Sequence, residues 1–153
     1  MKFLKAFVVF LIINFGALGI GSWLMNNGPQ SDWYTSMNQA PWTPPGWVFG
    51  AAWTSIMICF SIYMAVLYLK EPSNKVKTLF LIQFILNVSW NYAFFNQHLV
   101  GLALAIIIGL TVVVALFLFL FKSTLQYKTI LILPYFLWLC IAVSLNAYIL
   151  FNN

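Results

Sequence analysis

The chain has 153 residues, of which 63% are hydrophobic, 19% aromatic and only 6% charged, with a mean hydropathy of +0.95. Its net charge of +5 comes from seven lysines against two acids, with no arginine. Soluble domains carry roughly 25% charged residues, so this composition excludes a soluble enzyme and a disordered tail; lacking clustered Arg and Lys, it also excludes the usual nucleic-acid reader, and the solvent it suits is a lipid bilayer.

A membrane-crossing helix needs about 20 mainly apolar residues, and the chain supplies five such runs. The first covers residues 4–25. Its apolar character continues past the small-residue site Ala17-Leu18-Gly19, so it reads as a retained span and not as a cleaved signal. A long connection follows, residues 26–46. Ser31 or Asp32 caps a short amphipathic helix there. Trp33 and Met37 then share one face, which lies on the membrane or plugs the bundle. The run Pro41-Trp42-Thr43-Pro44-Pro45 cannot be helical, because proline lacks the N–H and restricts the residue before it.

The second span covers residues 47–69 and is closed by Lys70-Glu71-Pro72. Gly46 and Gly50 form a four-residue small step that lets another backbone approach. Trp53 lies about 10 Å below Gly46 at 1.5 Å per residue. The third span covers residues 78–97. Asn87, Trp90, Asn91 and Phe94 follow helical spacing and form one stripe, which must face the bundle interior because bare amides facing lipid are too costly. The fourth span, residues 99–121, carries Gly101, Ala105 and Gly109 as a packing stripe, within one protomer or between two. The fifth, residues 127–151, places Trp138, Ala142, Leu145 and Asn146 on one side, with Pro134 as a kink near its start. The connections after spans two, three and four are short, so consecutive helices are expected to be antiparallel neighbours. The expected fold is thus all-α: a single integral membrane bundle of five transmembrane helices, with a short amphipathic helix in the long first loop.

The lysines orient this bundle. Lys2, Lys5, Lys70, Lys75, Lys77, Lys122 and Lys128 all fall on one side if the N-terminus is inside, and the C-terminus is then outside. No charged residue remains deep within a span, which argues against an ion-coupled transporter. Paired carboxylates, a Ser-His-Asp set and metal-ligand spacings are missing. Cys59 and Cys140 read as small buried hydrophobes, and His98 stands without a neighbouring ligand, so no metal site is expected. Trp53, Asn87, Trp90, Asn91, Trp138 and Asn146 converge on the outer half of the bundle. An interfacial aromatic belt accounts for Trp23, Trp33, Trp42 and Trp47. It does not account for Trp53 and Trp138, which lie deeper and whose N–H groups want partners, so a ligand pocket is expected there.

The runs Pro41-Trp42-Thr43-Pro44-Pro45-Gly46-Trp47-Val48-Phe49-Gly50 with Trp53-Thr54, Leu86-Asn87 with Trp90, Asn91 and Phe94-Phe95, and Pro134-Tyr135 with Trp138, Ala142 and Leu145-Asn146 stand in order across most of the chain. Together they resemble the translocator protein / tryptophan-rich sensory protein family, in its bacterial form. The resemblance implies a receptor or sensor for tetrapyrroles such as protoporphyrin, held as a ligand and not as a covalent cofactor. Its partners would be membrane lipid, the tetrapyrrole and, as in a homodimer, a second copy of the chain, with no nucleic acid. Carried over by motif, the ligand-binding residues are Tyr34, Pro41, Trp42, Trp53, Asn87, Trp90, Asn91, Phe94, Trp138, Ala142 and Leu145. Two alternatives also follow from the resemblance. One is light-dependent oxidative degradation of protoporphyrin, with Trp53 and Trp138 as the catalytic residues. The other is transport of porphyrin or lipid. A C-terminal sterol-recognition pattern is incomplete: Val143 and Tyr148 are present, but Phe151-Asn152-Asn153 offers no basic residue.

Overall fold

The computed structural model describes residues 1–153 and is helical throughout, without strands. Five helices are long and apolar enough to cross a membrane: α1 (Lys2–Leu24), α3 (Gly46–Lys70), α4 (Asn74–Asn91, continued by a π-helical turn at Tyr92–Asn96), α5 (Val100–Leu120) and α7 (Leu133–Asn152). Two short helices complete the set, α2 (Asp32–Ser36) and α6 (Lys122–Leu125). Since lipid offers no hydrogen-bond partner, a chain this apolar satisfies its backbone within each helix.

The five spans close a ring in the order α1, α3, α7, α5, α4, each packed on the next and α4 packed back on α1. One expectation is corrected here. Spans two and three, α3 and α4, are joined only by Glu71–Ser73, yet α1 packs against both and stands between them. They meet across the ring centre instead, where Phe60 and Phe80 have ring centroids 6.0 Å apart. A short link enforces antiparallel direction but not adjacency.

Most of the buried apolar surface lies at the lysine end and mid-depth. Phe60 is its hub, with Tyr63, Phe117 and Tyr135 at 6.2, 5.8 and 5.2 Å between centroids. A smaller cluster of Ala93, Phe94, Phe95, Ala103 and Ile149 fills the opposite end, beneath the first connection. Side-chain hydrogen bonds tie the ring together where hydrophobicity alone gives little preference between helix and lipid. Asn14 donates to Ser61 Oγ at 2.9 Å, Gln83 to the Tyr135 hydroxyl at 2.7 Å, and the Tyr63 hydroxyl to the Phe117 carbonyl at 2.7 Å.

Three local expectations change. The fifth helix begins at Leu133; residues 126–132 form a 3-10 turn, and Pro134 sits in the first turn of α7, where its missing N–H is no loss, so it starts the helix and does not kink it. Gly46 and Gly50 have open space where a Cβ would stand, so this step packs against no helix. Cys140 is exposed on the outward face of α7, whereas Cys59 is half-buried; both are free. On the α5 stripe, Gly101 lies nearest Leu150 of α7 and Gly109 nearest Leu86 of α4, while Gly101 and Ala105 remain exposed.

Candidate functional site

Between the two apolar clusters, at the end away from the lysines, lies a cavity of about 290 Å³. Phe49 and Trp53 enter it from α3, Trp90 and Asn91 from α4, and Ala142, Leu145 and Asn146 from α7. The first connection closes it from above with Tyr34, Gln39 and Thr43.

The π turn shapes the wall. The Gln97 N–H reaches back five residues to the Tyr92 carbonyl at 3.0 Å, which widens the helix end by one residue, and the Leu99 N–H closes the end on the Ala93 carbonyl at 2.9 Å, six residues back. Phe94 and Phe95 are both buried beside this turn, their rings edge to face at 4.8 Å. The chain leaves the turn through His98, whose φ of +56° ends the span.

The cover is held at several points. Ser31 caps α2: its Oγ accepts from the Tyr34 N–H at 3.3 Å and donates to the Gly28 carbonyl at 2.8 Å. Of the two candidate caps, Ser31 is the one used. Trp33 stacks on His98 at 4.0 Å, with planes 10° apart, and meets Phe94 edge-on at 5.6 Å. Tyr34 meets Phe95 at 5.4 Å. The helix therefore plugs the bundle, and Trp33 leaves the belt assigned to it. Trp23 and Trp47, by contrast, are 78% and 75% exposed, as suits a belt. Beyond α2, Asn38 is clasped to the chain end: its N–H donates to Asn153 Oδ1 at 2.7 Å, and Asn153 Nδ2 donates to the Asn38 carbonyl at 3.2 Å.

The cavity wall contains no charged residue. Trp90 Nε1 donates to Asn146 Oδ1 at 3.0 Å, and Asn146 Nδ2 donates to the Val100 carbonyl at 3.1 Å, so α4, α7 and α5 are fixed to one another at the wall. Asn91 donates to the Asn87 carbonyl at 3.2 Å, leaving its own carbonyl oxygen for a guest. Burial pushes the Tyr34 phenol above its ordinary range, so it remains a protonated donor at neutral pH. A wall of Trp and Phe faces with a few neutral polar groups suits a flat apolar guest that is oriented by hydrogen bonds. General acid–base chemistry finds no carboxylate, histidine or lysine here.

Of the residues expected at the site, Tyr34, Trp53, Trp90, Asn91, Phe94, Ala142 and Leu145 line the cavity. Four stand elsewhere. Trp42 packs on the outside of α7, donating to Ser144 Oγ at 3.1 Å and meeting Tyr148 at 5.5 Å. Pro41 precedes it on the exposed surface. Asn87 is buried one turn below Asn91. Trp138 is buried against Phe49 at 5.4 Å, with its Nε1–H unpartnered. It reaches the cavity only through that ring. Sequence reasoning missed Phe49 and Phe95 in the wall. Phe49 lies four residues before Trp53, one turn up the same face, and that spacing was a usable signal.

Comparison with known proteins gives a consistent assignment. The sequence profile of the TspO/MBR family matches residues 7–151. A tryptophan-rich sensory protein of Cereibacter sphaeroides is 30% identical over 115 residues, 75% of this chain and 73% of the relative. The tryptophan-rich protein TspO of Chlorobaculum tepidum is 29% identical over 141 residues, 90% and 89% of the two chains. That of Archaeoglobus fulgidus is 29% identical over 150 residues, 95% and 93%.

Proposed function

Because the chain belongs to the TspO/MBR family, we propose that this integral, multi-pass membrane protein is a receptor of the sensory kind whose ligand is a flat, hydrophobic, tetrapyrrole-like molecule. The observation that carries this reading is the cavity itself: an uncharged space walled by Trp53, Trp90 and Phe94, with the free carbonyl of Asn91 and the Tyr34 hydroxyl as polar handles. Its volume of about 290 Å³ falls just below the usual range of ligand sites, roughly 300–1,000 Å³. A macrocycle of four pyrroles needs more, so α2 and its flanks must lift. The ionised side arms of such a ligand then stay in water, since the wall gives them no cation. We also read the seven-lysine end as the inner one, with the C-terminus outside, in keeping with the positive-inside bias.

The test is a dark titration of the purified protein with protoporphyrin, read by quenching of tryptophan fluorescence. Trp53→Ala removes a stacking face and Asn91→Leu removes a polar handle. Each should weaken binding by about 1–3 kcal/mol. Trp23→Phe, on the exposed belt, should leave affinity unchanged. Equal weakening by Trp23→Phe and Trp53→Ala would put the ligand elsewhere.

A further inference from the structure

A second and larger hollow, of about 550 Å³, lies at the opposite end of the bundle, between α1, α3 and α4. Its walls are apolar, with Phe10, Met64 and Phe80 at its back. Its mouth carries Lys2, Lys5 and Lys77. Along α1 it extends from Lys2 to Ile13, about 16 Å at 1.5 Å per residue. That is close to half of a hydrocarbon core about 30 Å thick. The hollow is thus one leaflet deep, apolar within and cationic at headgroup level.

The charge on its rim is uncommitted. Elsewhere at this end, Lys70 donates to the Thr124 carbonyl at 2.9 Å, Lys75 lies over the Phe121 ring at 5.5 Å and Lys128 over Tyr127 at 5.9 Å. Glu71, the one acid at this end, accepts from Thr124 Oγ1 at 3.2 Å, on the side of α6. Lys2, Lys5 and Lys77 have no such partner and converge on the hollow. Both α1 and α4 also begin here, so the positive ends of two helix dipoles add to the three ammonium groups.

We propose that this hollow is a binding site for one anionic phospholipid of the leaflet at the lysine end. One acyl chain lies along α1 over Phe10 and Phe80, and the phosphate sits among Lys2, Lys5 and Lys77. A zwitterionic lipid offers the same chain without the net negative charge, so the lysines give the site its selectivity. The site is separate from the cavity under the first connection and does not depend on what binds there.

Native mass spectrometry of the full-length protein in neutral detergent tests this. The probes are dioleoyl-phosphatidylglycerol, dioleoyl-phosphatidylcholine and chain-free glycerol phosphate. The expected result is one tightly retained phosphatidylglycerol, at least tenfold preferred over phosphatidylcholine, with no retained glycerol phosphate. Juxtamembrane lysines each contribute about fivefold to anionic-lipid affinity. The variant combining Lys2→Gln, Lys5→Gln and Lys77→Gln should therefore lose the preference, while Lys122→Gln with Lys128→Gln keeps it. The three single substitutions should show graded losses, which carries the test if the triple variant is unstable. Equal retention of the two lipids, or equal loss in the two lysine sets, overturns the proposal. Retention of glycerol phosphate alone would mean an ion site and also overturns it.

Discussion

Asn38 and Asn153 hold each other by a reciprocal pair of hydrogen bonds, at 2.7 and 3.2 Å, although 115 positions separate them. The middle of the first connection is thereby tied to the end of α7. The Asn152 carbonyl adds a longer contact from Asn38 Nδ2 at 3.5 Å. The cover of the cavity is therefore anchored at α2 by aromatic packing and at Asn38 by the chain end.

Removing this clasp should loosen the cover without unfolding the bundle. Asn153→Ala deletes both bonds of the pair, each contributing about 0.5–1.5 kcal/mol at most for such exposed groups. Amide exchange over residues 31–39 should quicken several-fold, while exchange in α3 and α5 stays unchanged. Hydrogen-exchange mass spectrometry reads both at once. Unchanged exchange in the cover would mean that Trp33 and Tyr34 hold it alone.

Gly21 of α1 packs against Asn91 of the cavity wall. A Cβ placed there would stand 2.7 Å from Asn91 Nδ2, and Asn91 is short, with its amide already bonded to the Asn87 carbonyl. Gly21→Ala should thus displace Asn91 and lower stability by about 1–3 kcal/mol, as overpacking does. Gly50→Ala, with open space around it, should be neutral or slightly stabilising. Thermal unfolding of both variants in detergent decides it. If Gly21→Ala is also neutral, α1 and α4 have more freedom than this contact allows.

The photochemical alternative makes a separate demand on two indoles. Phenylalanine keeps most of the stacking area of tryptophan but is much harder to oxidise. If the protein degrades protoporphyrin in light, Trp53→Phe should still bind it in the dark and lose light-driven bleaching. Trp138→Phe should have the smaller effect of the two, because Trp138 meets the cavity only through Phe49. If the protein only binds and senses, free and bound porphyrin bleach at the same rate in every variant. Absorbance time courses under illumination separate the two outcomes.

Orientation is tested by cysteine labelling after Cys59 and Cys140 are replaced. In intact cells, a membrane-impermeant maleimide should label Asn153→Cys and not Lys75→Cys. Labelling at position 75 alone would invert the bundle.

The five spans were legible because the signal for a membrane helix is length and apolarity, and both survive errors of a few residues. Approximate depth was legible for the same reason: Trp53 and Asn91, both expected in the outer half of the bundle, line the cavity there, whereas Trp138, expected at a depth similar to that of Trp53, stays outside it. What was hidden is angular. The stripe Asn87, Trp90, Asn91 and Phe94 was drawn on a regular helix, and the π turn at Tyr92–Asn96 adds a residue that leaves no mark in composition. Phe95 stands four residues after Asn91, at the edge of the same stripe, so its place in the wall was within reach of the spacing. Ring order was hidden as well, because a link as short as Glu71–Ser73 is compatible with α3 and α4 side by side or across α1. Gln83, bonded to Tyr135 at 2.7 Å, was a mid-span polar residue in plain view.

The cavity and its approach are almost without charge. Its wall has none, Asp32 in the first turn of α2 is the single acid at that end, and His98 lies flat against Trp33. A guest of the proposed kind would not be drawn in by a long-range field, so its association would be unsteered, and slower still when the cover must first open. Salt screens only interactions between charges, so the on-rate should be nearly indifferent to ionic strength. Discrimination between guests then rests on how long each stays, set by ring shape, dehydration and the fit against Trp53 and Trp90.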